Sequence, residues 1–349
     1  MPAPLITFAR RRWNEAGGAE RYLSRLVSRL RDMDYQCNLL CESWDQPDSP
    51  FNNIRQIEVK GFRHTAPENF ANGVNRIPRR ELGVVFALER GITAPIYRAG
   101  DGVHRQWLQR KAQDQTWLKV RNALSLKNHV IHAMEKQTLQ PMTTGTIIAN
   151  SEMVKHEILA ASSYPEDRIV VIPNGVDADY FGSGSREAGR AALGWGEEEF
   201  VCLLVGRGAL RKGHEQARQV VEKLGKKVRL EIIDSPPRCS MPDAYAAADV
   251  FLFPTMYDPF ANVTLEAMAA GLPVITTRSN GAQQVIDHGS NGYLVEDFQC
   301  IDNMVSHVRD LQSRDLRSRI GTAAQDTART CTWEKHLQAT LDVIGQANQ

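Results

Sequence analysis

No stretch of this 349-residue chain approaches the roughly 18 consecutive apolar residues that a membrane-crossing helix requires. Cysteine is sparse. The six residues Cys37, Cys41, Cys202, Cys239, Cys300 and Cys331 include no C-x-x-C pair and no histidine at zinc-ligand spacing. Scattered in this way, they read as buried thiols of a cytoplasmic protein and not as a disulfide framework. There is no low-complexity tract, no repeat at a solenoid period and no GK[ST] ending of a P-loop. An excess of one charge is also lacking. With 42 Lys and Arg against 41 Asp and Glu, and no recognised nucleic-acid motif, the chain is not expected to bind nucleic acid. The opening apolar run is too short for a signal-peptide core and its charges follow it, so a first strand is expected there.

What is present describes a globular chain, 42% hydrophobic and 24% charged, long enough for two domains with a core each. Charge is unevenly spread. Residues 1–172 carry 24 Lys and Arg against 18 Asp and Glu, and the remainder 18 against 23. A basic half joined to an acidic one suggests an anionic partner for one of them. Short apolar runs alternate with longer amphipathic segments, the pattern of an α/β fold with parallel sheets. Strands are expected at 5–9, 36–41, 54–59, 84–87, 94–98 and 146–149, with helices at 18–33, 106–121, 124–137 and 151–161. The series restarts with strands at 200–205, 229–233, 250–253, 273–277 and 292–295. Between them, Ile172-Pro173-Asn174-Gly175-Val176-Asp177 and the Gly/Ser run that follows mark a linker. The expected domains are therefore 1–174 and 175–349, with crossing back to the first domain left open for the last helix. Two Rossmann-like halves facing each other would leave a cleft at the carboxyl ends of both sheets.

Three loops carry candidate chemistry. Gly17-Gly18 follows the first strand and opens a helix, where close-approaching amides and the helix start favour a phosphate. Val205-Gly206-Arg207-Gly208-Ala209-Leu210-Arg211-Lys212-Gly213 brings cations to the end of a strand, Arg as a fork and Lys as a point charge for a diphosphate. In Asp258-Pro259-Phe260-Ala261-Asn262-Val263-Thr264-Leu265-Glu266, a loop acid and a helix acid flank amides near 261–263 that open a helix. A tight turn, a solvated basic loop and a capped helix with a core Glu are the bland alternatives for the three.

Taken together and in order, GGAER after strand one, IPNGVD at the junction and DPFANVTLEAMAAGLPVI resemble the retaining GT-B glycosyltransferases of family 4, in particular lipopolysaccharide core glycosyltransferases. The resemblance implies the GT-B architecture, with an N-terminal acceptor domain and a C-terminal domain for a nucleotide diphosphate sugar. It places Asp258 near the donor sugar and Glu266 on the ribose. Lys212 with Arg207 or Arg211 falls on the diphosphate, Gly17 and Gly18 over the distal phosphate, and Phe260, Ala261, Asn262 and Val263 along the donor. Asp101 and His104 match the family's residues near the anomeric carbon. A hexose would move from a UDP-sugar to a saccharide or glycolipid acceptor of the cell envelope. No cofactor or metal is expected, because the cations already counter the diphosphate, and neither Asp32/Asp34 nor Asp177/Asp179 looks like a metal clamp. Retention would follow from front-face attack with a donor phosphate oxygen as base, or from a covalent intermediate on Asp258.

Departures from the family pattern are Asp258 in place of Glu, Arg211 in place of an acid, and a short stretch from Ile233 to Asp249 where relatives hold the nucleobase. The last of these leaves the base open. Trp107, Arg110, Lys111, Trp117, Lys119 and Arg121 fit a peripheral contact with an anionic membrane, at the cytoplasmic face of an inner membrane, and equally a solvated helix face. A non-catalytic carbohydrate-binding or scaffold relative is the main rival reading, and a nucleotide-sugar epimerase of the same fold a third.

Overall fold

The computed structural model describes residues 4–12, 18–44, 49–113 and 116–347, with the side chains of 18–21 left out. The chain divides into two units, residues 1–172 with 337–349 and residues 173–336. The helix Trp333–Ala347 thus begins in the second unit and continues into the first.

The first unit is a seven-stranded parallel sheet. Its strands are β1 (Leu5–Ala9), β2 (Gln36–Cys41), β3 (Asn53–Gln56), β4 (Val84–Ala87), β5 (Ala94–Arg98), β6 (Thr144–Ala149) and β7 (Ile169–Val171), in the order β3-β2-β1-β4-β5-β6-β7. The central strands are short unbroken apolar runs because helices cover both faces of such a sheet. In β4 all four residues, Val-Val-Phe-Ala, are buried. The edge strand β3, Asn-Ile-Arg-Gln, is almost wholly exposed, which weakened its signal and shifted the expected bounds. β7 was hidden by its three-residue length beside the Pro-Asn-Gly turn. A helix at Ala66–Asn75, absent from the sequence expectation, buries Phe70, Ala71 and Val74 on the sheet. The expected helix at 106–121 is two, His104–Lys111 and Thr116–Ala123, followed by Leu126–Thr138.

The second unit is a five-stranded parallel sheet of β8 (Phe200–Val205), β9 (Val228–Ile233), β10 (Val250–Phe253), β11 (Val274–Thr277) and β12 (Tyr293–Val295), ordered β12-β11-β10-β8-β9. In each sheet the winding reverses once, between β1 and β4 and between β8 and β10. Ligands of such sheets bind at the carboxyl side of that reversal. All six cysteines are unpaired. Burial pushes the Cys37 and Cys41 thiols up to about 11, far from reactive thiolates.

At the opposite, amino end of the second sheet, Asp249 is buried just before β10. It accepts from Arg186 at 2.8 Å, from buried Arg190 at 2.9 Å and from the Val201 amide at 2.9 Å. Arg190 also donates to the Ala247 carbonyl, so one carboxylate fixes the helix Arg186–Leu193 to the end of the helix Met241–Ala247. Removing one partner of a buried pair strands the other charge. Asp249→Ala should therefore lower unfolding free energy by about 3–5 kcal/mol, read from urea unfolding of the intact chain. A loss below about 1 kcal/mol would place this network among surface pairs of little worth.

Candidate functional site

The reversal between β8 and β10 sets two loops side by side. After β8 the chain turns through Gly206 and Gly208 into the short helical turn Ala209–Lys212, then Gly213 at φ +75°. A Cβ on Gly213 would lie 1.9 Å from the Pro254 carbonyl oxygen, so this close approach to the loop after β10 admits only glycine. The Arg211 carbonyl accepts from the Met256 amide and the Thr255 hydroxyl, which stitches the loops together. The imidazole of buried His214 contacts the Gly206 carbonyl at 3.0 Å through Nε2.

Lys212 is thereby turned inward. Its Nζ stands 2.6 Å from Asp258 Oδ2 and 4.9 Å from the centre of the Phe253 ring, and Arg211 reaches the same oxygen at 3.6 Å. The other carboxylate oxygen, Oδ1, accepts from the Phe260 amide at 3.3 Å. Burial alone would push the Asp258 carboxyl up. Lys212, then Arg211, outweigh burial and hold it below the ordinary aspartate range, so Asp258 is anionic. Arg207, by contrast, is exposed and donates through Nε to the Asp234 carbonyl, at the start of the short connection after β9.

The backbone around Asp258 is pinned by Asn280, which sequence reasoning passed over. Asn280 is fully buried. It accepts from the Ala261 and Ala282 amides and donates to the Thr264 and Thr276 hydroxyls. The Ser279-Asn280-Gly281 turn after β11 was the available signal. Its hydrogen bonds also narrow the expected donor set. The Phe260 and Ala261 amides are spent on Asp258 and Asn280, and Phe260 itself is core. The amides of Asn262 and Val263, opening the helix Asn262–Ala269, have no partner among the described residues. The Asn262 side chain is steadied by Asn174 of the junction at 2.7 Å. Glu266, one turn into that helix and half-buried, accepts a 2.8 Å bond from the hydroxyl of buried Tyr245. Tyr245 has no motif of its own and could not have been picked out. Asp177, one of the Asp-x-Asp residues, is occupied in capping the helix Ala178–Gly182 through the Tyr180 amide.

In the first unit Gly17 lies outside the described residues and Gly18 begins the helix Gly18–Asp32. Beside the reversal between β1 and β4, Glu89 accepts from Arg10 at 3.2 Å and from the Arg11 amide at 3.1 Å, while Arg11 and Arg12 both reach Glu42. Burial, with Asp101 adding to it, pushes the Glu89 carboxyl up against the lowering pull of Arg10 and Arg11. Asp101 is exposed in the loop after β5, and His104 begins the helix His104–Lys111. Burial first, then Arg90, keeps the His104 imidazole below its ordinary pKa and so neutral at pH 7. The loop is held by Glu135, buried on the helix Leu126–Thr138. That carboxylate accepts from the His104 amide at 2.7 Å and from Arg90 at 3.2 Å, while Arg90 donates to the Gly102 carbonyl. Nothing in the local sequence marks Arg90 or Glu135, since each partner is remote along the chain.

Two Rossmann-like units of parallel sheet define the GT-B class. WaaG, a glycosyltransferase involved in lipopolysaccharide biosynthesis, superposes with a TM-score of 0.81 at 20% identity, covering 97% of this chain and 99% of that one. Anabaena HepE, solved in complex with UDP and glucose, superposes at 0.72 with 18% identity over 98% and 99% of the two chains. Family models match in sequence order: "Glycosyltransferase Family 4" over residues 101–180 and "Glycosyl transferases group 1" over residues 190–314. Together they take in more than half of the chain, and it belongs to this glycosyltransferase family. Among curated proteins it is 28% identical to the capsular polysaccharide biosynthesis glycosyltransferase CapM of Staphylococcus aureus, across 58% of this chain and 61% of that protein. It is also 28% identical to a D-inositol 3-phosphate glycosyltransferase of Xylanimonas cellulosilytica, across 60% and 62%. With 50% of an uncharacterized glycosyltransferase of Methanocaldococcus jannaschii also matched, the chain spans roughly half to three-fifths of the curated relatives it matches first.

The depressed Asp258 pKa gives a pH signature. A carboxyl lowered by folding adds stability above its unfolded pKa, near 3.9, and loses it only as pH falls through the lower folded value. Asp258→Asn should cost on the order of 3 kcal/mol at pH 7, because Lys212 is left buried beside a neutral amide. The gap to the native chain should stay constant down to about pH 4 and close below it. Urea midpoints from pH 7 to pH 3 decide this; a gap that closes above pH 5 would mean the ion pair does not hold Asp258 ionised.

Proposed function

We propose that the chain is a retaining, metal-independent glycosyltransferase that moves a hexose from a UDP-sugar to a saccharide or glycolipid acceptor of the cell envelope. The observation that carries this reading is the buried Lys212–Asp258 pair at the β8–β10 reversal, beside the open amides of Asn262 and Val263. In the transfer the bond from the anomeric carbon to the diphosphate oxygen breaks and a bond to the acceptor oxygen forms on the same face. The acceptor proton passes to an oxygen of the departing diphosphate. Negative charge grows on that group, and Lys212, Arg211 and the helix amides stabilise it from fixed positions. Asp258 aims the ammonium and stands near the sugar. Both of its oxygens already accept hydrogen bonds, which blunts it as a nucleophile and favours the front-face route over a covalent intermediate. Glu266, steadied by Tyr245, takes the ribose hydroxyls, and Asp101 and His104 serve the anomeric centre.

The UDP donor draws support from HepE, whose crystal structure holds UDP-glucose, and the envelope acceptor from WaaG and CapM. No described helix is long and apolar enough to cross a membrane. Trp117, Val120, Leu124 and Leu126 are nevertheless exposed on two neighbouring helices and the turn between them, with Arg121 stacked on Trp117. A basic and apolar face of this kind supports peripheral contact with an anionic leaflet, at the cytoplasmic face of an inner membrane.

Lys212→Ala should retain donor binding, moderately weakened, while single-turnover transfer falls about a hundredfold or more. Excess EDTA should leave transfer unchanged. Glu266→Ala should weaken donor affinity by about 2–4 kcal/mol. Near-native turnover in Lys212→Ala, or activity abolished by chelation and restored by Mg²⁺, would overturn the mechanism. For the membrane contact, Trp117→Asp with Leu124→Asp should abolish cosedimentation with phosphatidylglycerol vesicles. Undiminished cosedimentation would remove this face from the account.

A further inference from the structure

The first unit contains a surface pocket of about 330 Å³ between the helix Leu126–Thr138, the start of the helix His104–Lys111 and the end of the helix Glu152–Ala161. Its wall carries the exposed residues Arg105, His132, Lys136, Gln140 and Ser163, with a single acid, the buried Glu135. Both oxygens of that acid already accept, Oε1 from Arg90 and the His104 amide and Oε2 from the Arg105 amide at 3.4 Å. The side chains of Arg105 and Lys136 make no ion pair among the described residues. His132 and Lys136 stand one helical turn apart and so share a face with the pocket. Two unneutralised cations, a histidine, an amide and a hydroxyl thus converge on one concave space, while neighbouring basic residues such as Arg90 and Arg110 are paired with acids.

We propose that this pocket is a phosphate-binding site that takes a phosphomonoester the size of a sugar phosphate. The volume sits at the small end of the roughly 300–1,000 Å³ range of small-molecule sites, which suits a sugar phosphate better than a whole nucleotide-sugar. Arg105 supplies the planar fork that pairs with two phosphate oxygens and Lys136 the point charge. Gln140 and Ser163 add neutral donors for remaining oxygens or sugar hydroxyls. Because Glu135 also holds the amide of His104, the occupant would lie against the helix that follows the Asp101 loop. The phosphate could belong to a soluble phosphosaccharide or to the phosphomonoester headgroup of phosphatidic acid; the recognition chemistry is the same. This site stands whether or not the transferase reading holds.

The test is calorimetric titration of the full chain with inorganic phosphate and with a hexose 6-phosphate, with hydrogen exchange to locate binding. Protection is expected at residues 132–140 and 161–163. In Arg105→Gln/Lys136→Gln the hexose phosphate should bind about tenfold more weakly or worse, since each charge-assisted bond lost is worth more than a neutral one. Both substituted residues are exposed, and the changes leave Glu135 and its partners in place. Unchanged affinity in the double variant, or protection confined to other segments, overturns the site. Phosphatidic acid vesicles, whose headgroup is itself a phosphomonoester, distinguish the source. Displacement of bound hexose phosphate by vesicles, lost in the double variant, assigns the phosphate to a headgroup. Failure of vesicles to displace it assigns the phosphate to a soluble phosphosaccharide.

Discussion

A charge taken out of water has to be answered by another charge or by hydrogen bonds, and in the second unit that requirement organises the loops at the sheet reversal. Lys212 and Asp258 lie 46 residues apart, on the loops after β8 and β10, and meet at 2.6 Å with both side chains nearly buried. Neither could be left alone there, because an isolated buried ion costs several kcal/mol. The surrounding contacts keep the pair in register: Gly213 packs under Pro254, the Arg211 carbonyl takes two donors from the other loop, and Asn280 fixes the chain on both sides of the next helix. What results is an ammonium held at a fixed place before any ligand arrives, which is what electrostatic stabilisation of a leaving group calls for.

The first unit meets the same requirement with the signs exchanged. There a buried and a half-buried carboxylate hold basic groups and amides: buried Glu135 gathers Arg90 and the start of the helix His104–Lys111, and half-buried Glu89 gathers Arg10 and the Arg11 amide. Both settle loops at the carboxyl ends of strands by tying them to remote helices or strands. The basic excess of residues 1–172 is therefore partly internal. Part of its unneutralised remainder lies between residues 104 and 138, where Arg105 and Lys136 line a pocket and Arg121 accompanies exposed Trp117 and Leu124.

Much of this was legible in the chain, for stated reasons. Strands buried on both faces are largely apolar, so β1, β2, β4, β5 and β8 fell where they were expected, whereas β3 and β7, at the sheet edges, have weaker or shorter patterns. The site loops were visible because glycine, proline and charge collect where strands end. Asp258, Lys212, Arg211 and Glu266 all stand on the β8–β10 side of the second sheet. Gly17 falls outside the described residues, and Asp101 and His104 sit in the first unit beside Arg90 and Glu135, which no local motif announces.

By itself the sequence determined the two parallel α/β units and the loops that carry acid and cation, because periodicity, turn residues and short motifs are local properties of a chain. Only the tertiary structure decided which of those groups meet. It set Lys212 against Asp258, spent the Phe260 and Ala261 amides internally while leaving those of Asn262 and Val263 without a partner, and set Tyr245 behind Glu266. Apart from the local Phe260–Asp258 bond, these contacts join residues 19 to 46 positions apart, and they depend on strand order and on the cost of burying polar groups unpaired, neither of which is written in any one segment.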